Sequence, residues 1–151
     1  MSRIKANFKD KQTAEILESV YRNAKLAYKA TVEVLRRCQN NELYGELAKE
    51  QDRYKLVANR ARRELARLDT AAYEAPLYVR SMVKTGIATK TAMNNDTSNL
   101  AEIMYKGTNN GIIDMQRTLN RSRSAEGNIR ASAEKLLERE QEFCDNLRRF
   151  L

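Results

Sequence analysis

The chain contains no histidine. That absence removes Ser-His-Asp and Cys-His nucleophilic catalysis, and with them the side chain that most often serves as a general base near neutral pH. One proline and five glycines are too few turn-formers for strands joined by tight hairpins. The two cysteines, Cys38 and Cys144, stand alone. Neither belongs to a CxxC pair or a disulfide framework, and both read as small buried hydrophobes in a chain expected to be cytoplasmic. No apolar run reaches the length of about 18 residues that a membrane-spanning helix needs. The opening stretch "MSRIKANFKDKQ" carries charges with no apolar run behind them, unlike a signal peptide.

What the chain has in abundance is helix-forming composition. Charged residues make up 32% of its 151 residues, and Ala, Leu, Glu, Lys and Arg dominate. The length suits one domain with one core. The formal net charge is +8, and it is unevenly placed. Residues 1–40 carry nine Lys/Arg against four Asp/Glu, whereas residues 122–151 balance six against six.

Spacing by threes and fours predicts the helices. A first, over about 12–38, has the seam Leu17, Val20, Ala24, Ala27, Thr31, Val34 and Cys38. "QNNE" at 39–42 breaks it and offers Asn40 or Asn41 as the next cap. A second, over about 42–68, carries Leu47, Gln51, Tyr54, Ala58, Ala61, Leu65 and Leu68. So short a connection makes the two antiparallel neighbours. A long crossover follows, partly helical over about 77–92. Pro76 suits its first turn, and Val79, Met82, Val83, Gly86 and Ile87 form one apolar face. "NNDTSN" restarts the chain, with Asp96, Thr97, Ser98 or Asn99 as cap for a helix over about 98–120. A last helix over about 125–150 has the seam Ile129, Ala133, Leu136, Glu140, Phe143, Leu147 and Phe150.

Within "YKGTNNGIIDMQRTLN", residues 105–120, Gly107 and Gly111 share a face with Leu100, Met104 and Met115. Neither a GxGxxG nor a GxxxxGK[ST] spacing is present and no strand precedes, so this is helix and not a phosphate cradle. Each glycine costs about 1 kcal/mol against alanine, and the expected compensation is close approach of a neighbouring backbone. Met82, Met93, Met104 and Met115 recur every eleven residues. One helix spanning them would run about 65 Å, so a break at "NNDT" is expected, with the methionines as core fillers rather than a thioether metal site.

The predicted fold is all-α: a four-helix up-down-down-up bundle with a long, partly helical crossover between the second and third helices. In "ELAKEQDRYKLVANRARREL", "NLAEIMYKGTNNGIIDMQRTLN" and "AEKLLEREQEFCDNLRRFL" the chain resembles an uncharacterised bacterial four-helix-bundle family and, more distantly, the ferritin-like superfamily. That resemblance implies a di-iron centre built from Glu on two helices and Glu-x-x-His on two others. This sequence departs from the pattern. Its nearest analogues are Glu50-Gln-Asp-Arg53 and Glu140-Gln-Glu-Phe143, and the first helix offers no inward carboxylate, since Glu15, Glu18 and Glu33 lie off its seam.

The expected function is therefore that of a non-enzymatic, cytoplasmic, structural or protein-interaction bundle, without cofactor and forming a homodimer. Gln51 and Glu140 are expected as buried polar residues, with Glu140 meeting a Gln, Tyr or Arg. Asp114 is expected as a cap or ion-pair partner. The first alternative is a ferritin-like metal-binding or oxidoreductase bundle using Glu50, Glu102 and Glu140. The second is nucleic-acid binding, or contact with an acidic protein, through Arg22, Lys25, Lys29 and Arg36, a stripe opposite the first seam. Tyr21, Tyr28, Val32 and Leu35 widen that helix's apolar arc, fitting either a second neighbouring helix or a self-association surface.

Overall fold

The structure is a computed structural model that describes residues 2–72, 83, 84, 86–88, 90, 91 and 94–151, with side chains from residue 8 onward. It is all-helical, with no strand among the described residues. The helices are α1 (Ser2–Leu35), α2 (Asn41–Arg67), α3 (Thr97–Arg121) and α4 (Gly127–Leu147), closed by a 3-10 turn at Arg148–Phe150. Of the expected crossover helix, residues 83, 84, 86–88, 90 and 91 are helical. Pro76, Val79, Met82 and Met93 lie outside the described residues.

Local chemistry sets the helix ends. Helix α1 begins at Ser2, ten residues before the expected start, because no glycine or proline interrupts "SRIKANFKDKQ". It stops at Leu35, where Arg37 and Cys38 donate backbone N–H bonds three residues back, to Val34 and Leu35. Asn40 caps α2, its side chain accepting from the Leu43 N–H at 2.9 Å. At the other end Asp69 adopts a left-handed φ of 54°. The Thr70 N–H then reaches the Leu65 carbonyl, and the Asp69 N–H reaches that of Ala66. These are the two bonds of a Schellman motif, with aspartate where glycine is usual. Asp96 caps α3 by accepting from the Asn99 N–H at 2.8 Å. No side chain caps α4 from its own turn. Instead the connection is pinned to α1: Glu126 N–H donates to the Thr13 hydroxyl, Ser124 N–H to Gln12.

Helix α1 packs against α2, α3 and α4, and α3 packs against α4. Among the described residues the interior is two apolar clusters. One gathers Ile16, Leu17 and Tyr21 of α1 with Ala61 and Leu65 of α2, Met115 and Leu119 of α3, and Ile129 and Leu137 of α4. The other gathers Val34, Leu43, Leu47, Leu100, Met104, Phe143 and Leu147, with Ile87 from the crossover. Each fully buried leucine contributes about 2 kcal/mol by leaving water. Met104 and Met115 are core fillers, as their spacing indicated. Leu137, next to the expected Leu136, takes the buried seam position in α4.

Between the clusters lies a polar belt. In α2, Tyr54 falls between Leu47 and Ala58; in α4, Glu140 falls between Leu137 and Phe143; in α3, Thr108 falls between Met104 and Met115. The belt is where chemistry could sit.

Candidate functional site

Glu140 is 7% exposed and both its carboxylate oxygens accept hydrogen bonds. Tyr54 Oη donates to Oε2 at 2.9 Å, and Arg53 Nη2 donates to Oε1 at 2.8 Å. The same Arg53 nitrogen also donates to Glu50 Oε2, one turn back on α2. Arg53 Nε is buried without a hydrogen-bond partner among the described residues. Two carboxylates thus share one guanidinium, and if both ionise the belt carries one uncompensated negative charge.

The titration behaviour follows. Burial pushes Glu50 up to about 7, the Glu140 charge adds to it, and Arg53 opposes. Burial also raises Glu140, against Arg53 and the Tyr54 hydrogen bond. Tyr54 is raised well above the phenol range by its burial and then by the two carboxylates. Below about pH 7 the cluster favours holding a proton, and the two carboxylates titrate as a coupled pair.

The sequence-derived candidates distribute unevenly over this site. Glu50 and Glu140 come together through Arg53. Glu102 does not join them: it is half-exposed on α3 and pairs with Lys106 at 2.9 Å. Among the described residues no three Asp, Glu, Cys or His side chains are close enough to hold a metal ion. Gln51 is half-buried rather than buried, and Glu140's partners are the neighbouring Arg53 and Tyr54, because Tyr54 rather than Gln51 points to the centre of the α2 seam. Glu33, expected off the seam, is 4% exposed and bound by Arg36 and Arg37, both at 3.3 Å. Cys38 is half-buried and Cys144 buried, and both are free thiols. Burial, then the Glu140 charge, lifts Cys144 to about 11, which favours the thiol over the thiolate.

Two members of the basic stripe on α1 form ion pairs within the fold while remaining partly exposed. Arg22 turns to α3 and meets Asp114 at 2.8 Å, and Arg36 is committed to Glu33. Only Lys25 is exposed without such a bond, with Lys29 half-buried beside it. Asp114 also accepts from Asn23 at 2.7 Å and Ser19 at 3.0 Å. Burial would raise its pKa, but these three donors outweigh that and lower it below its ordinary value. The expected ion-pair role of Asp114 is thus realised as a hub joining α1 and α3. Tyr21 is buried in the first cluster and Leu35 packs on the second, so these two residues of the widened arc serve neighbouring helices, while Tyr28 and Val32 are half-buried.

Beside Tyr54 and Glu140 lies a cavity of about 380 Å³ between α1 and α3. Gly107 and Gly111 line it, which corrects the expectation of close backbone packing. A Cβ on Gly107 would meet nothing within 4 Å, and one on Gly111 would meet only the Asn23 side chain at 3.5 Å. The buried Thr108 hydroxyl in the same wall has no hydrogen-bond partner among the described residues.

No family model matches this chain, and neither a curated protein nor a solved structure does. Its functional reading rests on its own residues. The spacing Glu50-x-x-Arg53 placed a cation one turn from a carboxylate, and that was the available signal for the belt. Nothing in the spacing indicated that Arg53 would also reach α4.

Proposed function

We propose that this chain is a non-enzymatic protein of structural or interaction role, folded as a four-helix up-down-down-up bundle with a ferritin-like crossover. In this reading an internal ion pair replaces a metal centre. The observation that carries it is Arg53, whose guanidinium contacts Glu50 and Glu140 at the mid-height of the helices. A divalent ion would need those same carboxylate oxygens, unprotonated and free of donors. Here one pair is tied to a fixed cation and Tyr54, and the remaining excess charge is met by a proton. The up-down-down-up order is supported by which ends share a core: the 16–24 stretch of α1 and the N-terminal half of α4 lie with the C-terminal halves of α2 and α3, and Val34 of α1 lies with their opposite ends.

The test is metal analysis of protein purified, then equilibrated with iron or manganese. Substoichiometric metal, with no change on Glu140→Gln, is expected. Stoichiometric metal that Glu140→Gln abolishes would replace this reading with the metal-binding alternative. A nucleic-acid role has less to rest on, since Arg22 and Arg36 are held by Asp114 and Glu33. The reading includes a cytoplasmic homodimer, which sedimentation equilibrium would register as twice the chain mass. Among the described residues, no helix is long and apolar enough to cross a membrane.

A further inference from the structure

We propose that the open groove between α2 and α4 docks an acidic amphipathic helix of a partner protein; this rests on the interaction role just argued. The groove holds about 460 Å³. Leu17 and Val20 of α1 form its floor, with Leu56 and Val57 of α2 and Ala133 and Leu136 of α4 along its walls. Leu56 is 67% exposed, the most exposed large apolar side chain among the described residues. An amphipathic helix lays apolar residues into a groove of this kind.

Charge selects the partner. Arg60 on the α2 wall and Lys135 and Arg139 on the α4 wall are exposed. None of the three has an acidic partner among the described residues, although Arg53, Arg67 and Arg130 nearby are all paired. The groove's acidic residue, Glu64, is bound to Arg67. Three uncompensated cations therefore flank an apolar floor on both sides. They are spread along the helices: Lys135 and Arg139 sit one turn apart, and the α2 wall from Arg53 to Glu64 runs about 16 Å, or about three turns. One carboxylate of a bound fatty acid would neutralise a single cation. A helix with Glu on both flanks of an apolar stripe would meet them all. A second copy of this chain would bring a net charge of +8 to a cationic rim, so the homodimer of the proposed function would form on another face.

The probe is a fluorescently labelled helical peptide with Leu at three-four spacing and Glu on both flanks, followed by anisotropy at low salt. Saturable binding is expected, weakened about tenfold by Arg60→Glu with Arg139→Glu and about fivefold by Leu56→Ser. Lys25→Glu with Lys29→Glu, the same charge change on α1, should alter it less than about twofold. Circular dichroism checks that each variant is folded. Absent binding, equal binding of a peptide with Lys in place of Glu, insensitivity to Leu56→Ser, or an equal effect of the α1 pair would each overturn the proposal. So would tighter binding of an oligothymidylate that displaces the peptide, which would mark the rim as a phosphate surface. Stoichiometric metal in the protein would sink the underlying reading and leave the peptide result standing; failed peptide binding by metal-free protein sinks the groove alone.

Discussion

Replacing Glu50 by glutamine should make the protein more stable at pH 8 and flatten its dependence on pH. In the folded protein Glu50 keeps its proton up to about 7, against an ordinary 4.5. Between those values the native state binds a proton that the unfolded chain has released. Its contribution is therefore fully present below pH 4.5 and is lost as pH rises through about 7. At about 1.36 kcal/mol for each tenfold step in proton affinity, the gap from 4.5 to about 7 caps the effect at about 3 kcal/mol. The side chain is 14% exposed and shares Arg53 with Glu140, so screening and coupling reduce it to about 1–2 kcal/mol. Asp114 acts in the opposite sense, but only below its ordinary 3.8, outside this window. Urea denaturation at pH 5, 6, 7 and 8 measures the effect. Wild type should lose about 1–2 kcal/mol from pH 5 to pH 8 and Glu50→Gln less than about half of that. A wild-type stability that is flat or rising over the range, or an unchanged slope in the variant, would refute the shared-guanidinium argument.

Tyr54→Phe strips the donor from Glu140 Oε2 inside the belt and should cost about 1–3 kcal/mol at pH 7 by chemical denaturation; a loss under about 0.5 kcal/mol would show that the bond is replaced. Gly107→Ala should stabilise by about 0.5–1 kcal/mol, since the new methyl group meets nothing within 4 Å and helix propensity improves. A destabilised variant would restore the idea that this glycine admits a close neighbour. Asp69→Gly should raise the melting temperature modestly, worth about 0.5–1 kcal/mol, by relieving the left-handed backbone at φ 54°; calorimetry showing a lower temperature would mean that the aspartate side chain has a stabilising role there.

Much of the fold was legible because its punctuation is local. Asn40 and Asp96 are caps whose side chains bond within three residues, and such signals survive any tertiary context. The seams of α2 and α4 were legible for the same reason: threes and fours place Tyr54, Ala58, Ala61 and Leu65 on one face wherever the helix goes. Helix α1 was harder. It touches three other helices, so its buried arc is wide and takes in Glu33 and Tyr21, which one seam cannot accommodate. Its start was misplaced because charge in the first eleven residues says nothing about where a helix without breakers ends. The site was half legible. Glu140 stood out as a carboxylate on an apolar seam, whereas its partnership with Arg53 depends on a long side chain crossing between helices. Arg22 was read as a free surface cation, whereas its reach is long enough to pair with Asp114 while its side chain stays 39% exposed. The glycines of α3 show the converse: a helical wheel places them inward, but whether anything stands opposite is decided by the rest of the chain.

The polar belt has a consequence for how sequence change is tolerated. Because the belt on the α2–α4 side and the cavity between α1 and α3 part the two hydrocarbon blocks, Leu65, Leu119 and Ile129 belong to a different cluster from Leu43, Leu100 and Phe143. Paired substitutions within one block should show strong energetic coupling, and pairs taken across the belt should simply add. The packing is built with an internal firebreak.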